Sequence, residues 1–175
     1  MYKRQINNWV SILEASFLVF RLQPYFENFG KRVIKSPKLY FNDVGLAAYL
    51  LDISSVEQIA RDPLRGGLFE NLVISELIKS RYNKGLEPNI YFYRDSNHRE
   101  VDVLFKSGNN LIPIEIKSSK TFNIDFIDSI NYFKKLSESR SPTGILIYAG
   151  EQEQRIGSTY AVSYTHLTLP TIYSV

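Results

Sequence analysis

Residues 100–117 read EVDVLFKSGNNLIPIEIK, two runs of alternating apolar character around Ser107-Gly108-Asn109-Asn110. Alternation of this kind is the period of a β-strand. Gly108-Asn109 suits a two-residue hairpin turn, because glycine takes the positive φ such turns need. A turn centred there pairs residues whose numbers sum to 217, so Asp102 stands opposite Glu115 and Glu100 opposite Lys117. Opposed residues have Cβ atoms about 4.5–5.5 Å apart. Val101, Val103, Ile114 and Ile116 then share one face, expected to be core, while Asp102, Glu115 and Lys117 share the other. Two opposed carboxylates repel unless something positive offsets them. A divalent cation does so, and Mg²⁺ typically uses one or two carboxylates together with water and substrate phosphate. Lys117 would place an ammonium beside them, able to orient a water and to offset charge on a scissile phosphate. The plainer alternative is an exposed polar face with a Glu100–Lys117 surface pair, worth little to stability.

Outward from the hairpin, Gly66 to about Tyr82 reads as a long amphipathic helix whose apolar arc holds Phe69, Val73 and Leu77. Glu70 projects into that arc, with Glu76 near it, and a carboxylate on a buried face needs a partner. Glu70 is read either as a site acid or as a first-turn acid favoured by the helix dipole. Asn89 to Arg94 is a strand, Ile124 to Leu136 a helix and Thr143 to Tyr148 a strand, so the order from Pro63 is α-β-β-β-α-β, a mixed sheet with packed helices. Upstream, Ile6 to Ser16 has helical spacing and Phe17 to Phe20 reads as a strand. Lys31 to Phe41 reads as extended, and Asp43 caps a short helix from Val44 to Leu51. With the basic residues Lys31, Arg32, Lys35 and Lys38, this stretch reads either as a partial winged-helix segment or as a solvated loop between strands. The boundaries are then 6–62 for this segment and 63–161 for the α/β core.

Both ends call for a separate reading. The DNA word TATAAGAGACAG encodes Tyr2-Lys3-Arg4-Gln5, and its reverse complement encodes Val162-Ser163-Tyr164 and the start of Thr165. That word resembles a sequencing-library transposase end, so Met1 to Gln5 and Val162 to Val175 are set aside from the fold reading as adapter translation. The remaining 156 residues suit one medium domain, or a small one plus part of another. The whole chain has 21 basic and 18 acidic residues, but without Lys3 and Arg4 the excess falls to one, which supports no nucleic-acid argument by itself. The absence of cysteine excludes disulfides and thiolate metal sites and fits a reducing cytoplasm. No apolar run is long enough for a membrane span.

The residues now support a resemblance. Asp102 followed after twelve residues by Glu115-Ile116-Lys117 resembles the PD-(D/E)xK nuclease signature, and Gly66-x-x-x-Glu70 on the preceding helix resembles its Holliday-junction-resolvase branch. That resemblance implies Asp102, Glu115 and the Ile116 carbonyl as ligands of Mg²⁺ or Mn²⁺, Lys117 as catalytic lysine and Glu70 as helix acid. Position 101 is Val, where many members have Pro. Lys35-Ser36-Pro37-Lys38-Leu39-Tyr40-Phe41, Asp43-Val44-Gly45-Leu46-Ala47, Gly67-Leu68-Phe69-Glu70-Asn71, Tyr93-Arg94-Asp95 and Glu115-Ile116-Lys117-Ser118-Ser119 together resemble domain of unknown function 4143. That domain is the C-terminal part of a prokaryotic family of AAA-type P-loop ATPases. The resemblance implies an ATPase domain upstream as partner and as the place where ATP binds, since these residues contain no G-x-x-x-x-G-K-[ST].

Two functional expectations follow: a metal-dependent nuclease-like domain acting on DNA, or an inactive module of the same fold that grips DNA or a protein. Candidate DNA contacts are Lys31, Arg32, Lys35, Lys38, Arg94, Arg99 and Lys120, with His98 read as a plain loop residue. The many Tyr and Phe residues chiefly supply core, but a surface cut from a larger chain would leave an apolar interface bare. The chain is therefore expected to self-associate. A single sharp monomer peak at high concentration in size-exclusion chromatography would contradict this.

Overall fold

A computed structural model describes residues 2–27, 29 and 33–166. In chain order the elements are α1 (Tyr2–Ala15), β1 (Val19–Leu22), β2 (Lys38–Phe41), α2 (Val44–Leu50), α3 (Val56–Arg61), α4 (Arg65–Tyr82), β3 (Ile90–Arg94), β4 (Glu100–Ser107), β5 (Asn110–Lys117), α5 (Asp128–Ser137), β6 (Gly144–Tyr148), β7 (Gln154–Ile156) and β8 (Thr159–Ser163). Short 3₁₀ turns flank α5, at Ile124–Ile127 and Glu138–Arg140. Six strands form one mixed sheet in the order β3-β4-β5-β6-β8-β7, antiparallel through β3, β4 and β5, parallel from β5 through β6 to β8, and closed by antiparallel β7. The fold is thus mixed α/β. The β1–β2 pair forms a separate antiparallel ribbon.

The hairpin turn sets its register. Gly108 has φ +59°, and the pairs run from Ser107↔Asn110 to Val103↔Ile114, each summing to 217. Helices cover both faces. On one, Val73, Ile74 and Leu77 of α4 pack on Val103, Ile114, Ile116 and Ile147 together with Leu22 and Tyr40 of the ribbon. On the other, Ile130 of α5 meets Leu146 and Ala161, and Phe133 meets Val101 and Leu104. Burial on both sides explains why Ile145-Leu146-Ile147 is continuously apolar rather than alternating.

Several expectations are corrected. Val101 does not share a face with Val103: Tyr91 pairs with Leu104 but Tyr93 with Val101, so Asp102 and Val103 together face Phe92 alone. This is a β-bulge, which breaks the two-residue period and re-aims side chains. α3 was missed, although Ser55 and Gln58 form a reciprocal capping box, a legible start signal. The β7–β8 pair was missed, although β7 and the first three residues of β8 lie within the 6–161 span read for fold. Val162 and Ser163 are buried and are the last rungs of β8, opposite Ile147 and Tyr148, and Tyr164 packs edge-on against Phe69. Tyr2 to Gln5 lie within α1. Where it is described, the segment between β1 and β2 runs against the edge of β3. Pro24 bridges Phe92, Val33 bridges Asp95, and Tyr25 N–H donates to the Phe92 carbonyl at 2.7 Å. Helix α1 leaves Ile6, Trp9 and Ile12 exposed, Trp9 by 64%.

The end of β5 is tied to the end of β6, with Ala149 N–H shared between the carbonyls of Lys117 and Ser119. A Cβ at Gly150 would overlap the Tyr148 ring and the Lys120 carbonyl. The carbonyl belongs to backbone and cannot turn aside as a side chain would. Gly150→Ala is expected to cost about 1–3 kcal/mol, as overpacking does. Urea denaturation would measure it, and an unchanged midpoint would contradict the packing described.

Candidate functional site

The bulge places Asp102 where main-chain pairing between β4 and β5 ends. Its Oδ2 accepts the Ile116 N–H at 2.9 Å, so a side chain replaces a backbone acceptor. Asp102 is half-buried, and the surrounding protein desolvates its carboxyl. That burial, then the charges of Glu115 and Glu70, push its carboxyl well above the usual carboxylate range; the Ile116 N–H and the Lys38 charge only partly oppose them.

Glu115 sits mid-sheet on β5 and is 6% exposed. Its Oε1 accepts from Lys117 Nζ and its Oε2 from Ser129 Oγ near the start of α5, both at 2.5 Å. Burial alone would lower the Lys117 ammonium, but Glu115, with Asp102 and Glu70 behind it, outweighs burial and raises it. Arg65, the first residue of α4, donates to the Ser118 carbonyl at 2.5 Å and so anchors the chain just after Lys117.

Glu70 lies in the second turn of α4, which begins at Arg65, so the first-turn dipole reading is replaced. It meets the ribbon instead. Lys38 Nζ bonds Glu70 Oε1 at 2.9 Å, and Tyr40 OH donates to the same oxygen at 2.5 Å. Lys38 also pairs with Glu100, whose other oxygen accepts from Arg94. Burial opposes ionisation of both Lys38 and Glu100, yet their partners win: the ammonium is raised, and the Glu100 carboxyl is lowered by Arg94 and Lys38. Burial and the Glu70 charge together push the Tyr40 hydroxyl up. The Glu100–Lys117 surface pair does not form, because each has a nearer partner. Glu76 faces solvent and pairs with Lys79, away from these groups.

Glu70, Asp102, Glu115 and Lys117 are therefore near enough to act on one another electrostatically, and Ile116 joins through its main chain. Among the described residues, no three or more Asp, Glu or His side chains cluster to hold a metal. Lys38 and Arg94 are held by acids, Arg99 stacks on Tyr132 at 4.5 Å, and Lys35 and Lys120 are exposed. Lys31 and Arg32 lie outside the described residues. Exposed His98 has φ 61° in the β3–β4 turn, which buried Asp95 organises by accepting from Asn97 N, Arg99 N and Tyr132 OH. Sequence reasoning missed Tyr40 and Ser129. Tyr40 lay in a motif already singled out, whereas nothing local marks Ser129.

No helix among the described residues is long and apolar enough to cross a membrane. Two curated relatives, the uncharacterized protein Mb2031c of Mycobacterium bovis and the uncharacterized protein Rv2008c of Mycobacterium tuberculosis, are each 32% identical over 117 residues. Those residues are 66% of this chain and 25% of each relative, so the match spans about a quarter of the relatives' length. The family profile described as Domain of unknown function (DUF8612) matches residues 1–57. The profile described as Domain of unknown function (DUF4143) matches residues 65–167, more than half of the chain. The chain belongs to the DUF4143 family.

Proposed function

We propose that this chain carries a nuclease-like site, dependent on Mg²⁺ or Mn²⁺, that hydrolyses DNA phosphodiesters within a longer protein that also holds an AAA-type ATPase domain. The observation behind this reading is that Asp102 accepts the Ile116 N–H beside buried Glu115, close enough for the two carboxylates to repel, with the Lys117 ammonium on Glu115. Asp102, Glu115 and the Ile116 carbonyl would be the oxygen donors that hold a hard cation, which commonly keeps water and substrate phosphate beside one or two carboxylates. Asp102 Oδ1 accepts no hydrogen bond from a described residue, which leaves it free for such a role. A bound divalent ion would supply Lewis-acid polarisation of water and phosphate. Asp102 would release its proton on loading. Lys117, exchanging Glu115 for substrate, would orient the attacking water and offset charge on the phosphate. Glu70, held by Lys38 and Tyr40, would stand on the helix side of the site. The second reading, a DNA- or protein-binding module without cleavage, draws on the engagement of Lys38, Arg94 and Lys117 with acids, which leaves fewer free cations for phosphate.

Titration with Mn²⁺ is expected to show binding that Asp102→Asn and Glu115→Gln each weaken at least about tenfold, the effect of losing roughly 1.4 kcal/mol. Folded wild-type protein that takes up no Mn²⁺ would exclude the metal reading and leave the binding module.

The raised carboxyl of Asp102 gives a pH dependence of determined sign. The folded chain holds this proton more tightly than the unfolded chain. Its contribution to stability is therefore complete below the ordinary Asp value near 4 and is lost as pH rises towards the higher folded value. In metal-free buffer, Asp102→Asn should gain in Tm on wild type between about pH 5 and pH 9. A gap that stays constant or shrinks across that range would show that Asp102 ionises without strain.

A further inference from the structure

Lys38 lies in the segment matching the DUF8612 profile, yet its ammonium sits among acids of the segment matching DUF4143. Its side chain is 16% exposed. The ammonium bonds Glu70 at 2.9 Å, pairs with Glu100, and lies 5.5 Å from the centre of the Phe92 ring. Ring and carboxylates both favour a fixed positive charge there. Tyr40, two residues on in β2, donates to the same Glu70 oxygen. The ribbon that carries both is fixed by Leu22 and Tyr40 in the core shared with α4. A lysine placed in this way does the electrostatic work of a bound cation without leaving.

We propose that Lys38 is a built-in counter-cation of the acidic site, which neutralises Glu70 and Glu100 and so confines a mobile divalent cation to Asp102 and Glu115. Lys38 is thus a positioning residue supplied by the N-terminal ribbon. The inference deepens the metal reading above and rests on it for the place of the mobile ion. Its own content is that the Glu70–Glu100 side is closed to metal because an ammonium already fills it. Removing a unit charge a few ångströms from a divalent ion changes binding by about tenfold or more even through water-like dielectric.

The test is Mn²⁺ binding to the full chain, followed by electron paramagnetic resonance, for wild type, Lys38→Met, Lys38→Gln and Lys38→Arg. The neutral variants are expected to bind Mn²⁺ about tenfold tighter, or to take a second ion, while Lys38→Arg matches wild type. Adding Glu70→Gln to Lys38→Gln should cancel the gain. A merely structural lysine would lower Tm in the neutral variants without tightening Mn²⁺ binding, and that result overturns the inference. Tighter binding in Lys38→Gln with none in wild type would keep the inference and sink the reading of Asp102 and Glu115 as the metal site. Unchanged binding in the variants of a metal-binding wild type would do the reverse. Should the neutral variants not fold, the wild-type Lys38 Nζ resonance decides. A fixed ammonium exchanges slowly with solvent and stays in place as Mg²⁺ is added; fast exchange or displacement by Mg²⁺ refutes the role.

Discussion

The carboxylate of Asp102 stands in for a main-chain acceptor between β4 and β5, and the layout of the acidic side chains follows from that substitution. A regular ladder would have sent Asp102 and Val103 to opposite faces of the sheet. The bulge instead sets both against Phe92 and leaves the Ile116 N–H to the side chain. Phe92, released from β4 at that point, bonds Gln23 and Tyr25, which draws the chain leaving β1 along the edge of β3. The ribbon follows, and Lys38 and Tyr40 arrive at Glu70. One irregular step in one strand thus connects the sheet, the helix and the N-terminal segment.

Charge balance in this region is local, and whole-chain composition conceals it. The net charge of +3 says nothing of Glu70, Glu100, Asp102 and Glu115 gathered against Lys38, Arg94 and Lys117. Buried like charges are tolerated when each has a donor or counter-charge. Glu115 has Lys117 and Ser129, Glu100 has Lys38 and Arg94, and Glu70 has Lys38 and Tyr40. Asp102 has only an amide, and it is the acid whose carboxyl burial and its neighbours push up. A carboxyl shifted by burial and like charge beside satisfied ones is a pattern found at functional sites and in structural ion-pair networks alike.

The parts legible in the sequence were those governed by local rules. The Gly108-Asn109 turn gave the hairpin register, Asp43 gave the cap of α2, and helical spacing gave α4 within a residue of its start. What escaped were consequences of tertiary contact. No alternation pattern announces a bulge that β3 imposes on β4, so Val101 was assigned to the wrong face. Lys38 looked like a surface cation because nothing in 35–41 shows that Glu70 and Glu100 will close on it. Strands β7 and β8 were not read at all, and Val162 and Ser163 were set aside as adapter translation, although their burial depends only on the side chains present.

The two profile matches meet between residues 57 and 65, which invites a division of the chain into two modules. The packing argues against treating them as independent. Leu22 and Tyr40 lie in the same apolar cluster as Val73 and Ile74, and the only charged group bridging Glu70 to Glu100 comes from β2 among the described residues. Without the ribbon, α4 would expose part of its apolar face, and Glu70 would lose the two donors that let a carboxylate sit there. A domain cut at the profile boundary would therefore lose both core and charge balance. The sequence-level boundary separates stretches of chain, while the physical unit that could bind or cleave anything includes both.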